Sequence, residues 1–247
     1  HYLPRYQGDE LPTTVEGAIA GIADKMDTVI GCFAVGLKPT SSKDPYALRR
    51  ATQGIIQVTL NSKLSFDYKK LIEKAYEIFS ADKKVLEKDV VKDVTEFFKQ
   101  RIINVLSEKY KKDLINYEIN LESNVVELDK KLSELLKLSQ TENFEILINL
   151  LKRVKNIVKD EKNENLNIDS TLFELEEEKT LYNLANQLES IENTDFSNYI
   201  ETLLNNASTI NQFFDNVIIN VDNEKLKENR IALLKKLEIS IDKMINI

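Results

Sequence analysis

The chain is predicted to be all-α, a multi-helix bundle in which one helix follows another. Three observations carry this. Only six glycines and four prolines occur in 247 residues, and three of the prolines precede residue 40, so turn chemistry is scarce beyond it. Apolar residues recur at alternating spacings of three and four, which gathers them on one face of a helix. Cap-forming residues such as Thr14, Asp67 and Asp222 stand just ahead of those runs.

Taken in order, residues 1–13 are an extended lead-in because of Pro4, Gly8 and Pro12, and Thr13 or Thr14 can cap the first helix. Val15, Ile19, Ile22, Met26, Val29 and Phe33 then form one buried face, with Gly17, Gly21 and Gly31 permitting close packing. Pro39 to Ser42 cannot continue that helix. Asp44 supplies an N-cap oxygen and Pro45 fits the first helical position, where no N–H is needed. A second helix is therefore predicted from Asp44 to near Asn61, with Leu48, Ala51, Ile55 and Val58 inward. Arg49 and Arg50 fall in its first turn, where the helix dipole disfavours cations, so an anion or an acidic neighbour is expected to meet them.

Asp67 starts a third helix with Leu71, Ala75, Ile78 and Phe79 inward, and residues 80–86 break it. Val91, Val94, Phe98, Ile102 and Val105 line a longer one, ended by Lys109, Lys111 and Lys112. A short helix from Tyr117 to Val126 precedes another carrying Leu128, Leu132, Leu135 and Leu136. From Thr141 the stripe runs Phe144, Leu147, Leu151, Val154, Val158, while Lys152, Lys155 and Lys159 share a different face with Arg153 beside them. Spaced cations can straddle a phosphate backbone, and a solvated helix face is the competing explanation.

Residues 160–170 form a polar loop, and the helix after it turns Leu175, Leu181, Leu184, Leu188 and Ile191 inward, with Glu176 to Glu178 in its dipole-favoured first turn. The run Phe196, Ile200, Leu203, Ala207, Ile210, Phe214, Val217 is broken into two helices near Ser208. Asp222 caps a last helix carrying Leu226, Leu233, Leu237, Ile241 and Met244 inward. Phe213 and Phe214 can stack on unpaired bases or fill the core.

Composition narrows the function. Hydrophobic residues make up 42% and charged residues 30%, and the length suits one large domain or two ordinary ones. No apolar run is long enough to cross a bilayer. The absence of a starting Met and of a basic-then-apolar leader makes a piece of a longer chain the expectation. The single cysteine, Cys32, excludes an internal disulfide, fits the reducing cytoplasm, and reads as a plain buried thiol. A net charge of −7 argues against coating nucleic acid by bulk charge, so any RNA contact must use local patches. With one His and one Cys there is no Gly-rich phosphate loop, nucleophile elbow or metal-spaced cluster, and no catalytic residue is assigned.

Several words of the sequence carry a resemblance. Lys38 to Ile56, KPTSSKDPYALRRATQGII, resembles the KPTGSKDPFALRRAALGI segment of the bacterial glycyl-tRNA synthetase beta-subunit family, with Ser41 where that family has Gly. HYLPRYQGDELPTT resembles the stretch ahead of the final helices of its HD-like domain. Ala23-Asp24-Lys25-Met26-Asp27 resembles the last metal-ligand helix of HD-type phosphohydrolases, but the upstream His and His-Asp pair are missing and the chain's only His is His1, so no metal site is expected. LKRVKNIVKD is similar to the family's KRVSNIL segment and to the helix opening the DALR domain of arginyl-tRNA synthetase. Ile168-Asp169, Leu172-Phe173 and Glu178 with Leu181 resemble its next landmark, and NQFFDNV with NRIALL its end.

The resemblance implies an HD-like remnant over 1–62, a helical body over 63–140 and a DALR-like anticodon-binding bundle over 141–247. It implies a subunit of an ATP-dependent glycine–tRNA ligase that binds glycine tRNA, while an alpha subunit, its partner in an alpha–beta tetramer, performs the chemistry with ATP and Mg; no cofactor, membrane or DNA is expected in this chain. Residues implied for tRNA are Lys152, Arg153, Lys155, Lys159 and Arg230 toward the anticodon arm, with Lys43, Arg49 and Arg50 either contacting tRNA elsewhere or bracing the HD-like domain. Two other functions stay open: a metal-dependent HD-type phosphohydrolase using Asp24, and a helical scaffold that joins subunits.

Overall fold

The computed structural model describes residues 2–6, 8–83, 85–112, 114–115, 124–158, 167–192 and 195–242. Among them are ten α-helices and no strand, as the sparse Gly and Pro predict. The chain divides into two compact units, His1–Leu132 and Ser133–Ile247.

In the first unit, α1 (Val15–Ala34) packs on α2 (Leu48–Asn61), α3 (Tyr68–Asp82) and α4 (Val90–Leu106), and α2 and α3 each pack on α4. Thr14 caps α1, its side chain accepting the Gly17 N–H at 3.1 Å. The buried stripe of α1 is Ala18, Ile22, Met26, Val29 and Phe33. Val15 and Ile19, expected inward, are more than half exposed, because the stripe begins at Ala18 and leaves the first turn outside it. Likewise α3 buries Tyr68, Ile72 and Phe79 and turns Ile78 to solvent, one position round from the predicted face. Gly31 has its predicted use: a Cβ there would sit 3.1 Å from the Phe79 ring, so its absence lets α1 and α3 approach.

The start of α2 departs from expectation. The helix begins at Leu48 rather than at Pro45, because a turn closed by the Ala47 N–H on the Asp44 carbonyl intervenes and Ala47 adopts a left-handed backbone (φ 55°). Asp44 still supplies the cap, one carboxylate oxygen accepting from Leu48 N–H at 2.9 Å and the other from Arg49 N–H at 3.0 Å. Left-handed backbone in this loop falls at Gly36 and Ala47 and not at Ser41, so the family's Gly at that position is not required by φ here. Asp67 caps α3 as predicted, and α4 stops at Leu106, ahead of Lys109.

Helix α5 (Val125–Leu138) carries the predicted Leu128, Leu132 and Leu135 inward. Most of the expected Tyr117–Val126 helix lies outside the described residues.

In the second unit, α6 (Glu142–Val158), α7 (Glu176–Ser190), α8 (Phe196–Asn205), α9 (Ala207–Asn216) and α10 (Glu224–Asp242) form a bundle. Helices α9 and α10 each pack on α6 and α7, and α8 touches α6, α7 and α9. Its core holds Leu147, Leu151, Leu181, Leu184, Phe213 and Leu233, with Tyr199 donating to the Ser240 carbonyl at 3.1 Å inside it. Each such side chain stabilises the fold by roughly 1.5–3 kcal/mol through burial. The predicted break near Ser208 falls at Asn206. Asn223 rather than Asp222 accepts the Leu226 N–H ahead of α10. Met244 and residues 160–166 lie outside the described residues.

Candidate nucleic-acid interface

Helix α9 builds one polar face from Asn211, Phe214 and Asp215, whose spacings of three and four align them along the helix. Arg153, on the neighbouring α6, lies against that face. Its guanidinium donates to Asn211 Oδ1 at 3.0 Å and to Asp215 Oδ1 at 2.8 Å, and its centre stands 4.8 Å from the centroid of the Phe214 ring. Phe213 anchors the arrangement from below: it is fully buried and meets Phe214 edge-on at 5.8 Å. The two phenylalanines thus divide the alternatives that the sequence leaves open, one in the core and one half-exposed beneath a cation.

The pair stays open to solvent, the Arg153 and Asp215 side chains being 41% and 63% exposed. Lys152 beside it is exposed and has no ion pair among the described residues. Lys155 reaches Asp242 at 2.9 Å. Glu238 adjoins them, and its carboxyl is pushed up by burial first and by Asp242 second. Lys159 lies outside the described residues.

Arg230 is placed differently. It is buried, and its guanidinium donates to Glu178 Oε1 at 2.8 Å, to the Ile218 carbonyl at 2.8 Å and to Glu174 Oε2 at 3.2 Å. Glu178 is also fully buried, and its other oxygen accepts the N–H groups of Glu174 and Leu175 at 2.8 Å, closing the start of α7. Glu177 accepts from the Asn216 side chain at 2.6 Å. The end of α9 is therefore held from α6 by Arg153, from α7 by Glu177, and through the Ile218 carbonyl from α10 by Arg230. Arg230 supports the surface without being part of it.

The first unit has its own cation cluster. Lys38 is anchored between Asp93 at 2.6 Å and Glu87 at 2.9 Å, which together raise its pKa. Thr40 and Lys43 close the loop through their backbones at 2.9 Å, leaving the Lys43 side chain exposed. Arg49 donates to the Thr40 carbonyl. The acidic neighbour expected near it is Asp44, whose oxygens cap α2. Arg101, on α4, sits near both: burial and then Arg49 lower its pKa, and Asp44 opposes them. Its Nε is buried with no hydrogen-bond partner among the described residues. Arg50 is exposed and lines a small hollow with Pro4, Tyr6, Gln53 and Gln57. Asp24 and Asp27 are exposed on α1, and the described residues contain no group of three metal-ligating side chains.

Sequence reasoning named Arg153 and Phe214 separately and gave no role to Asn211 or Asp215. Asn211 and Asp215 carried a usable signal, two carbonyl-bearing side chains one helical turn apart beside an aromatic, but only the bundle brings a cation to them. Arg101 carried none, since an isolated arginine on an amphipathic helix is ordinary.

Comparison with known proteins agrees with this organisation. Residues 1–120 match the family described as glycyl-tRNA synthetase beta subunit, and residues 147–247 match the DALR anticodon binding domain. Among curated relatives, the glycine–tRNA ligase beta subunit of Halalkalibacterium halodurans is 38% identical over 245 residues, covering 95% of this chain and 35% of the relative. That of Geotalea daltonii is 36% identical over 244 residues, covering 96% and 35%. That of Desulforamulus reducens is 30% identical over 246 residues, covering 96% and 35%. The chain spans about a third of the length of these relatives. With both parts matched, and relatives aligned along nearly all of its residues, the chain belongs to the glycyl-tRNA synthetase beta-subunit family.

Proposed function

We propose that this chain is the tRNA-recognising part of a glycine–tRNA ligase beta subunit. It binds glycine tRNA, including the anticodon region, so that an alpha subunit can join glycine to that tRNA in the cytoplasm, using ATP and magnesium. The observation that carries the reading is the Arg153 guanidinium stacked on Phe214, with the exposed Lys152 beside it, inside the stretch that matches an anticodon binding domain. A stacked arginine and a half-exposed ring suit splayed, single-stranded bases, and neighbouring lysines suit the phosphates between them. Lys155 joins that set once its exposed pair with Asp242 yields to a phosphate, since such pairs hold only about 0–1 kcal/mol. Lys43, Arg49 and Arg50 supply a second, separate set of contacts in the first unit. No bond is made in this chain.

The test is a titration of the chain with glycine tRNA and with a tRNA of changed anticodon, at several salt concentrations. Glycine tRNA binds more tightly, and affinity falls with salt at a log–log slope of about −0.7 per phosphate neutralised on single-stranded RNA. The paired variant Lys152→Glu with Arg153→Glu abolishes the preference. Equal affinity for the two tRNAs, or no effect of the paired variant, would leave the chain a scaffold.

A further inference from the structure

We infer that Arg49 and Arg101, on two helices of the first unit that pack together, form a binding site for a phosphate group. The site lies outside the anticodon surface and does not depend on it. Arg5, Arg153 and Arg230 each hold a carboxylate oxygen within 3.2 Å. Arg49, Arg50 and Arg101 hold none among the described residues, although the chain carries more acids than bases. Arg50 turns to the hollow beside Tyr6, which leaves Arg49 and Arg101 as the uncompensated pair.

Each guanidinium has its own anchor. Arg49 donates to the Thr40 carbonyl, which ties it to the loop that carries Lys43. Arg101 lies over the ring of Phe97, one turn back on α4, its centre 5.5 Å from the centroid. The Arg101 Nε is buried and has no acceptor among the described residues. Buried donors are nearly always satisfied, and the cost of leaving one bare is larger on a cation than on a neutral group. Arg49 adds to that cost: burial first, and Arg49 second, lower the Arg101 pKa, so like charges meet where water is scarce. Asp44 opposes them only in part, because both of its oxygens already accept N–H groups at the start of α2. Arg49, Arg101 and Asp44 together keep a net positive charge, and Lys43, exposed on the same loop, increases it.

A water molecule would satisfy the Nε donor and leave the repulsion between the arginines untouched. An oxyanion removes both penalties. Phosphate suits two guanidiniums better than a carboxylate does, since its tetrahedron offers acceptors in several directions while a planar carboxylate serves a single fork. Inorganic phosphate and the backbone phosphate of a polynucleotide present the same chemistry to the pair.

The experiment titrates the 247-residue chain with inorganic phosphate by calorimetry at constant ionic strength, with acetate as the carboxylate control. One phosphate binds per chain and acetate does not. Arg101→Gln and Arg49→Gln each weaken phosphate binding by about tenfold or more, as expected for a lost charge-assisted hydrogen bond. Arg101→Lys, which keeps the charge and loses the fork, falls between the two, and circular dichroism checks that each variant is folded. Glycine tRNA added to the loaded chain then identifies the source: it releases the phosphate if the site takes a backbone phosphate, and leaves it bound if the site takes the free ion. If inorganic phosphate alone does not bind, the site stands only as a backbone contact, and Arg101→Gln must then lower the log–log salt slope of tRNA binding by about 0.7–0.9. An unchanged slope in that case overturns the inference. So does phosphate binding that survives the Gln variants at full strength, or that acetate matches.

Discussion

Two arginines of the second unit stand at opposite ends of what a cation can do in a folded chain. Arg153 lies on the surface of α6 and α9, its pair with Asp215 wet on both sides. Arg230 is sealed between α7 and α10, its side chain 4% exposed and its partner Glu178 not exposed at all. In sequence they are alike: an arginine in a helix, inside a word shared with a tRNA-binding family. Burial separates them. A solvated ion pair holds about 0–1 kcal/mol, so RNA can compete for either member. A buried pair is poorly replaced by water, and removing one partner strands the other charge at a cost of about 3–5 kcal/mol. The first is available for recognition because it is weak, and the second gives the first a fixed place to stand.

The sharpest way to break this contrast is Arg230→Met. It should lower unfolding free energy by about 3–5 kcal/mol in urea denaturation, and the double variant with Glu178→Gln, which removes the stranded charge and keeps an oxygen for the Glu174 and Leu175 N–H groups, should recover part of that loss. A loss below 1 kcal/mol would put Arg230 in the same class as Arg153. Next in size is Asp44→Ala, which strips the cap from α2 and should cost about 0.5–2 kcal/mol in the same measurement. Arg153→Ala should cost less than about 1 kcal/mol of stability while removing the anticodon preference. A large stability loss there would make the surface pair structural.

The smallest effect concerns pH. Glu238 has a raised folded-state pKa, so its ionisation penalises the fold. The penalty is absent at pH values below the ordinary carboxylate range and grows as pH rises through the folded value. Glu238→Gln should therefore raise the melting temperature slightly at neutral pH and leave it unchanged in acid. It also removes a negative charge beside Lys155, which should strengthen RNA binding a little at low salt.

The helical architecture was legible because it rests on local rules. Caps at Thr14 and Asp67, the end of α2 at Asn61 and the break between α8 and α9 fell where propensity and periodicity put them, to within a residue or two. The misplacements at Val15, Ile19 and Ile78 have one cause: periodicity finds a face and leaves its rotation uncertain by one position, and only the neighbouring helix decides which edge of the stripe is covered. The start of α2 was misread because Asp44 caps from three residues upstream of Ala47, a geometry that depends on Ala47 turning left-handed. The candidate interface was half legible. Lys152 and Arg153 were named from spacing, but Asn211 and Asp215 come from a helix some sixty positions later. The burial of Arg230 depends on Glu178, which the sequence offered only as one of three acids favoured by a helix dipole.

The hydrogen bond from Arg230 to the Ile218 carbonyl has a thermal corollary. A binding surface on a frayed helix end would fade gradually on warming, ahead of the body that carries it. Here the chain just past the end of α9 is fastened to the buried Arg230, so the hydrogen-exchange protection of that helix end should match that of the bundle's core, and capture of RNA should vanish in the same narrow temperature interval in which the helices melt.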